Sequence, residues 1–382
     1  MKKLLINSVL YGFLLIPVVL WLVWFVKPAH KANIIIVDKS ALTVDGVKHR
    51  AFNWILTHRK YKKPDGKFYS ISSDYLGFFP LADEQYEIKD FSMFSDLQLD
   101  SLAKETDMIF FADTYGVYKQ EWYKRDFGAE ENSKKLYGGL DSSDVTFIKK
   151  MIERRKLVMA QFNFFATPTS GAIRAEAENL LNLRWSGWSG RYYGQLDTLE
   201  NPELPKWIVS LYKKQHKNNW PFTKSGIVFI HSNETIEILE QETDLVYEVP
   251  VVKSFDYTIS KYSVAHEVNY SNWFDIVLSS NTGNRVLSYY EIQTNARGDS
   301  ILQSQNIPKI FPAAFENEEN NYYYFCGDFM DSPTYDTPNR ISGIQYFKLF
   351  VLNEDDKSDK SPFFWKYTLP LTSKILSNHL RN

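Results

Sequence analysis

The apolar positions of the chain form three successive patterns. In the first, "MKK" is followed by an apolar run from Leu4 to Val26 that contains no charged side chain. At about 1.5 Å of rise per residue, a helical run of that length crosses a bilayer core of roughly 30 Å. A secretory signal peptide would have a shorter apolar region ending in a small-x-small cleavage site, whereas this run ends in Trp-Phe-Val before "KPAHKA". The pattern predicts an uncleaved, single-pass signal anchor over residues 1–31, with membrane contact through residues 4–26. Lys2 and Lys3 on one side are matched by Lys27 and Lys31 on the other, so charge contributes little to orientation. The large remainder is expected outside the cytoplasm.

In the second pattern, residues 32–196, short continuous apolar runs alternate with helical periodicity. "NIIIVD" (33–38), "DMIFFADT" (107–114) and "KLVMAQFNFF" (156–165) suit strands buried on both faces. "VKHRAFNWILTHRK" and "SSDVTFIKKMIERRK" read as helices. Asp141, Ser142 and Ser143 stand before the second of these, and Asp144 lies in its first turn. Strand and helix alternating at this spacing predict right-handed crossovers, hence an α/β, flavodoxin-like, doubly wound parallel sheet. The third pattern, residues 197–382, opens with a proline-led helix in "NPELPKWIVSLYKKQHKNNWPF". A β-rich part follows: "GIVFIHSNETIEIL" as a hairpin, then "WFDIVLSS" and "RVLSYYEIQ" joined through "NTGN". "KIFPAAF" and "NYYYFCGDF" are apolar enough to be buried on both faces, and are expected to rejoin the first sheet.

The formal net charge of −2 provides no field that would recruit nucleic acid. Basic runs such as "HRKYKK" and "KKMIERRK" read as solvated helix faces. Cys326 is the only cysteine, which excludes an internal disulfide, a cysteine-based zinc site and a two-cysteine redox centre. The seven histidines are scattered without an HExxH motif, so neither a metal nor a cofactor is expected.

Doubly wound sheets present their working residues at the carboxyl ends of the strands. Asp38 ends the first run, Asp113 precedes Tyr115 and Tyr118 on the second, and Asn163 ends the third. Asn163 leads into "FFATPTSGAIRAEAENLL", where Thr169 or Ser170 caps a helix carrying Arg174, Glu176 and Glu178. If the last strands rejoin the sheet, Asp328 and Asp331 of "GDFMD" arrive at the same edge. The plainer reading of Asp38 and Asp113 is that they cap loops by accepting from nearby amides. Aromatic residues make up 16% of the chain, and "LRWSGWSGRYYGQL" (183–196) concentrates Trp185, Trp188, Tyr192 and Tyr193 around Arg191. Read as a glycine-hinged loop over the carboxyl edge, it predicts a sugar platform in which rings stack on sugar faces and Arg191 holds a polar substituent. The alternative is a packing seam between the two parts of the chain.

The order of elements, and the strand-turn-helix around "LVMAQFNFFATPTS", resemble the class I glutamine amidotransferase-like fold, which also occurs as a non-catalytic domain in some β-galactosidases. The resemblance covers residues 33–195 and implies a nucleophilic cysteine in a tight turn, where this chain reads "QFNFFAT". No cysteine lies in that half, and "GWSG" lacks the spacing of a nucleophile elbow. The resemblance therefore implies the fold and argues against amidotransfer. Two functions follow. One is a membrane-anchored, catalytically degenerate protein that binds a glycan, or an envelope protein partner, in polysaccharide synthesis or export. The other is a carbohydrate-active hydrolase using two of Asp38, Asp113, Asp328 and Asp331, whose carboxyl groups would have to stand about 5–5.5 Å or 6.5–9.5 Å apart.

Overall fold

The computed structural model describes residues 15–125, 133–334 and 336–380. The apolar runs of the first half become strands with both faces covered. In chain order the elements are β1 (Ile34–Asp38), α1 (Arg50–His58), β2 (Leu76–Pro80), β3 (Tyr86–Lys89), α2 (Asp96–Glu105), β4 (Met108–Asp113), α3 (Ser142–Glu153), β5 (Leu157–Gln161) and α4 (Gly171–Leu181). Helix α3 starts where its cap dictates. The Asp141 carboxylate accepts from the Ser143 and Asp144 amides, and Asp144 reaches back to the Asp141 amide.

The second half continues with β6 (Leu183–Tyr193), α5 (Lys206–Gln215), β7 (Gly226–His231), β8 (Ile236–Glu240), β9 (Val251–Ser254), α6 (Asp256–Tyr262) and β10 (Glu267–Asn269). It ends with β11 (Trp273–Ser279), β12 (Arg285–Glu291), α7 (Ala296–Ser304), β13 (Ile310–Asn317), β14 (Tyr322–Phe325), α8 (Ile344–Val351) and α9 (Leu369–His379).

Ten strands form one sheet in the order β10-β9-β12-β13-β14-β5-β4-β1-β2-β3. The five central strands β14, β5, β4, β1 and β2 are parallel. The flanks are antiparallel, so the sheet is mixed rather than wholly parallel. For two of these pairs the reason is connection length: β2 and β3, and likewise β13 and β14, are joined by links too short for a crossover, and a short link permits only an antiparallel neighbour. β14 lies between β13 and β5, so residues from beyond 196 complete the first sheet.

A second, antiparallel sheet has the order β8-β7-β6-β11. Its long strand β6 corrects the expected loop at 183–196. The register of β6 against β11 shifts between Trp185 and Ser189, and Gly187 sits at φ +93 within that bulge. Gly190 lies against the Phe274 ring, where a Cβ would not fit. The glycines thus serve a bulged strand packed against an aromatic ring. One apolar core joins the sheets, with Trp188, Phe229 and Phe274 of the second packed in the same cluster as Phe110, Val158 and Tyr324 of the first. A smaller cluster, including Tyr193, Val228, Ile208 and Tyr212, lies beneath α5.

Of the expected membrane segment, residues 4–14 lie outside the described residues. Residues 15–26 are helical. Among the described residues no helix is long and apolar enough to cross a membrane.

Candidate functional site

Because β1, β4, β5 and β14 run parallel, their carboxyl ends meet at one edge. The register pairs Asp38 directly with Asp113. Beyond β5 the chain turns at Asn163, and beyond β14 it turns through Asp328 to Asp331. An isolated bridge between Gly327 and Phe274 holds the β14 turn against the second sheet. Into this edge the loop between β1 and α1 brings Lys48. Its Nζ lies 2.5 Å from Asp328 Oδ2, 3.7 Å from Asp331 Oδ2 and 3.9 Å from Asp113 Oδ2.

The carboxylates are held from behind. Asp113 Oδ1 accepts from the Tyr115 amide at 2.7 Å and from Asn163 Nδ2 at 3.5 Å. Asp328 Oδ1 accepts from Gln161 Nε2 at 3.2 Å, and the Gln161 amide also donates to the Ala112 carbonyl. Asn272 Nδ2 donates to the carbonyls of Asp328 and Asp331, and Lys360 Nζ stands 3.0 Å from Asp331 Oδ2. A cavity of about 10 Å³ lies between Asn272, Asp328, Asp331 and Lys360, room for roughly one water. Asp38 has a different role. It is wholly buried, 2.7 Å from His49 Nδ1, and its other oxygen accepts from the Ser40 amide, so it anchors the loop that delivers Lys48.

The electrostatics follow from this geometry. Burial first, then the neighbouring Asp328 and Asp38 carboxylates, push Asp113 up to about 7 against the pull of Lys48. For Asp331 burial acts upward, but Lys48 and Lys360 outweigh it and hold the carboxyl at about 2. Burial, reinforced by Asp331, raises Asp328 despite Lys48. Burial opposes the Lys48 charge too, yet Asp328, Asp331 and Asp113 together hold its ammonium above the ordinary lysine value.

Asn163 adopts φ +69, a conformation asparagine tolerates, at the turn where the amidotransferase resemblance implies a cysteine. Its amide donates to Asp275 Oδ2 at 3.0 Å, while Asp275 Oδ1 accepts from Ser189 Oγ at 2.6 Å. The second sheet therefore buttresses the crevice through a wholly buried carboxyl, which burial pushes up to about 6. Cys326 lies just past β14, wholly buried. Burial and then Asp275 push its thiol well above the ordinary cysteine value.

The structure brings Asp113, Tyr115, Asn163, Asp328 and Asp331 to one crevice, with Asp38 behind them. Tyr115 is half-buried, its ring 5.2 Å from that of Tyr118. The aromatic platform does not join them: Trp185, Trp188 and Tyr192 pack against the core shared by the two sheets, while Tyr193, with Arg191 over its ring, lies on the other face of β6. Trp188 is buried, 4.7 Å from the His231 ring, and Tyr192 is buried with its hydroxyl donating to Glu248. Trp185 donates to the Trp188 carbonyl, and the Arg174 guanidinium covers its ring at 4.7 Å. Arg191 pairs with Glu203 at 2.6 Å and lies over Tyr193. Each finds its partner within the protein. Sequence reasoning passed over Lys48 and His49 as the start of a helix. Their position in the loop leaving the carboxyl end of β1 was the signal available. Among the described residues no cluster of His, Cys, Asp or Glu has the geometry to hold a metal ion.

No protein-family model and no curated protein matches the chain. Among solved structures, a ThuA-like protein from Bacteroides uniformis is similar with TM-score 0.36 and 8% identity, over 93% of this chain and 91% of that one. A glutamine amidotransferase from Thermotoga maritima is similar with TM-score 0.36 and 8% identity, over 92% of this chain and 100% of that one. A likeness at this level carries no argument about chemistry, so function rests on the crevice itself.

Proposed function

We propose that the carboxyl edge of the parallel strands binds a hydroxyl-bearing ligand, a glycan unit, in a protein that performs no thiol-dependent amidotransfer. The observation that carries this reading is the state of Lys48. An ammonium has three donors, and only Asp328 lies at hydrogen-bond length; Asp113 and Asp331, at 3.9 and 3.7 Å, do not. The Lys48 side chain is also 24% exposed. Two Lys48 donors and Asp113 Oδ2 therefore remain for a ligand, while Asp331 Oδ2 accepts from Lys360. A hydroxyl accepts from the ammonium and donates to a carboxylate at once. An anionic ligand would meet the ionised Asp331 with Asp328 and Asp113 beside it. Against amidotransfer stand Asn163 in the turn after β5 and the burial of Cys326. In a chain anchored through residues 4–26, such a crevice fits a role beside polysaccharide synthesis or export.

Calorimetry with neutral oligosaccharides on the full-length protein at neutral pH tests this. Binding should be lost in Lys48→Met and kept in Arg191→Lys. Equal binding by wild type and Lys48→Met, or none by the wild type, overturns it.

One observation favours a second reading, acid–base hydrolysis: Asp113 and Asp331 both stand within 4 Å of Lys48 Nζ, and their surroundings push the first carboxyl up to about 7 and hold the second at about 2. Two carboxyls pushed apart in this way can act as proton donor and ionised partner. Asp113→Asn would then bind a glycoside without turning it over. A wild type that binds without turnover excludes hydrolysis and leaves binding.

A further inference from the structure

Two apolar helical surfaces lie side by side on the outside of the molecule. In residues 15–26 only Trp24 is buried, while Val18, Val19, Trp21, Leu22 and Phe25 are among those exposed. Helix α8 has no buried residue, and its sequence IQYFKLFV holds a single charge, Lys348. Tyr346, Phe347, Leu349, Phe350 and Val351 are exposed, Phe350 at 92%. The two surfaces are tied together, since the Ser342 amide donates to the Leu20 carbonyl at 3.1 Å and Lys27 Nζ donates to Ser342 Oγ at 2.8 Å. Helices this apolar on their outer faces need a non-aqueous partner.

The rim of this surface is basic. Arg340 lies 5.8 Å from the Trp24 ring and 5.3 Å from that of Phe68. Lys60 Nζ donates to the Phe25 carbonyl at 2.8 Å and lies 4.9 Å from the Trp24 ring. Lys62 covers Phe68 at 4.8 Å. The run "HRKYKK", expected as a solvated helix face, thus crosses the carboxyl end of the apolar helix. Three features select lipid over a protein partner. The exposed face mixes Trp, Tyr and Phe with aliphatic residues, the composition of a bilayer interface. Lys62 and Arg340 stand where phosphate headgroups would lie, while the buried Lys60 ties the carboxyl end of the helix to the body of the protein. Residues 15–26 also continue the uncharged run that begins at Leu4.

We propose that α8 is an interfacial helix that lies against an anionic lipid surface beside residues 15–26, with Lys62 and Arg340 at headgroup level. This contact is separate from the ligand crevice, and its test does not depend on ligand binding. In the full-length chain, Phe350→Cys is labelled with a nitroxide, because the one native cysteine, Cys326, is buried. Leu199→Cys, at a position also 92% exposed, serves as the water reference. In liposomes of phosphatidylcholine and phosphatidylglycerol, paramagnetic accessibility is measured with dissolved oxygen and with a water-soluble nickel chelate. The label at 350 should show an oxygen-to-nickel ratio several-fold above that at 199, and a lower ratio when phosphatidylglycerol is left out. Equal ratios at the two positions overturn the proposal. So does shielding from both reagents at 350, the sign of a protein–protein contact, and so does a ratio at 350 indifferent to phosphatidylglycerol.

Discussion

Asp113 and Lys48 are the residues whose substitution separates the electrostatic argument from simple packing. Asp113 is held at about 7 in the native state against 3.8 for an ordinary aspartate, so between about pH 4 and 7 the folded protein keeps a proton that the unfolded chain has released. Stability should fall as pH rises through that window. In Asp113→Asn the fall should flatten, as followed by urea unfolding at a series of pH values; an unchanged slope would place the proton elsewhere. Lys48→Met should act in the opposite sense, by leaving Asp328, Asp331 and Asp113 to repel one another. We expect a loss of about 3–5 kcal/mol at neutral pH. The loss should shrink near pH 5, where the carboxyls recover protons, and the melting temperature of the variant at the two pH values reads this directly. Sequence placed Asp38 and Asp113 by the ends of their apolar runs. It could not place Lys48, whose role depends on which loop crosses which strand end.

At the scale of elements, β6 and the β1–β2 pair make the sharpest expectations. Trp188→Ala should cost about 3–5 kcal/mol of stability, since the ring is buried in the core shared by the two sheets. Chemical denaturation should show that loss with ligand binding unchanged at temperatures where the variant is folded. Gly77→Ala should be severe. Gly77 adopts φ +140, and a Cβ there would collide with the Asp38 carbonyl in the neighbouring strand, so both the backbone and the crevice floor must shift. Gly171→Ala, at the start of α4 with nothing near the added methyl, should be neutral or stabilise by up to about 1 kcal/mol. Comparing the two melting temperatures separates close approach from helix propensity. Helix α3 was legible because its cap is local, Asp141 satisfying amides two and three residues on. Strand β6 was not legible, since Gly187 and Gly190 read equally well as hinges until the bulge and the Phe274 ring are seen.

For the whole molecule, the position of β14 decides how the chain folds. It pairs with β5 on one side and β13 on the other, so a chain ending at Leu196 leaves the edge of β5 bare. Such a truncation should aggregate or remain unfolded by size exclusion and circular dichroism, while the full chain unfolds in one transition. A folded, monomeric 32–196 fragment would count against the shared core.

What belongs to the sequence alone is local in origin. Strands with both faces covered follow from unbroken apolar runs, helix starts follow from caps, and the exclusion of an internal disulfide follows from a single cysteine. Each depends on residues within a few positions of one another, or on a count. What only the tertiary structure decided is which distant residues meet: Lys48 with Asp328, Asn163 with Asp275, Ser342 with Leu20. The aromatic run at 183–196 turned inward because its partners, Phe274, His231 and Glu248, lie far along the chain. A ring cannot signal from its own neighbourhood whether it will find a sugar or another side chain. That outcome depends on the strand order, and strand order is set by pairings across the sheet that no single stretch encodes.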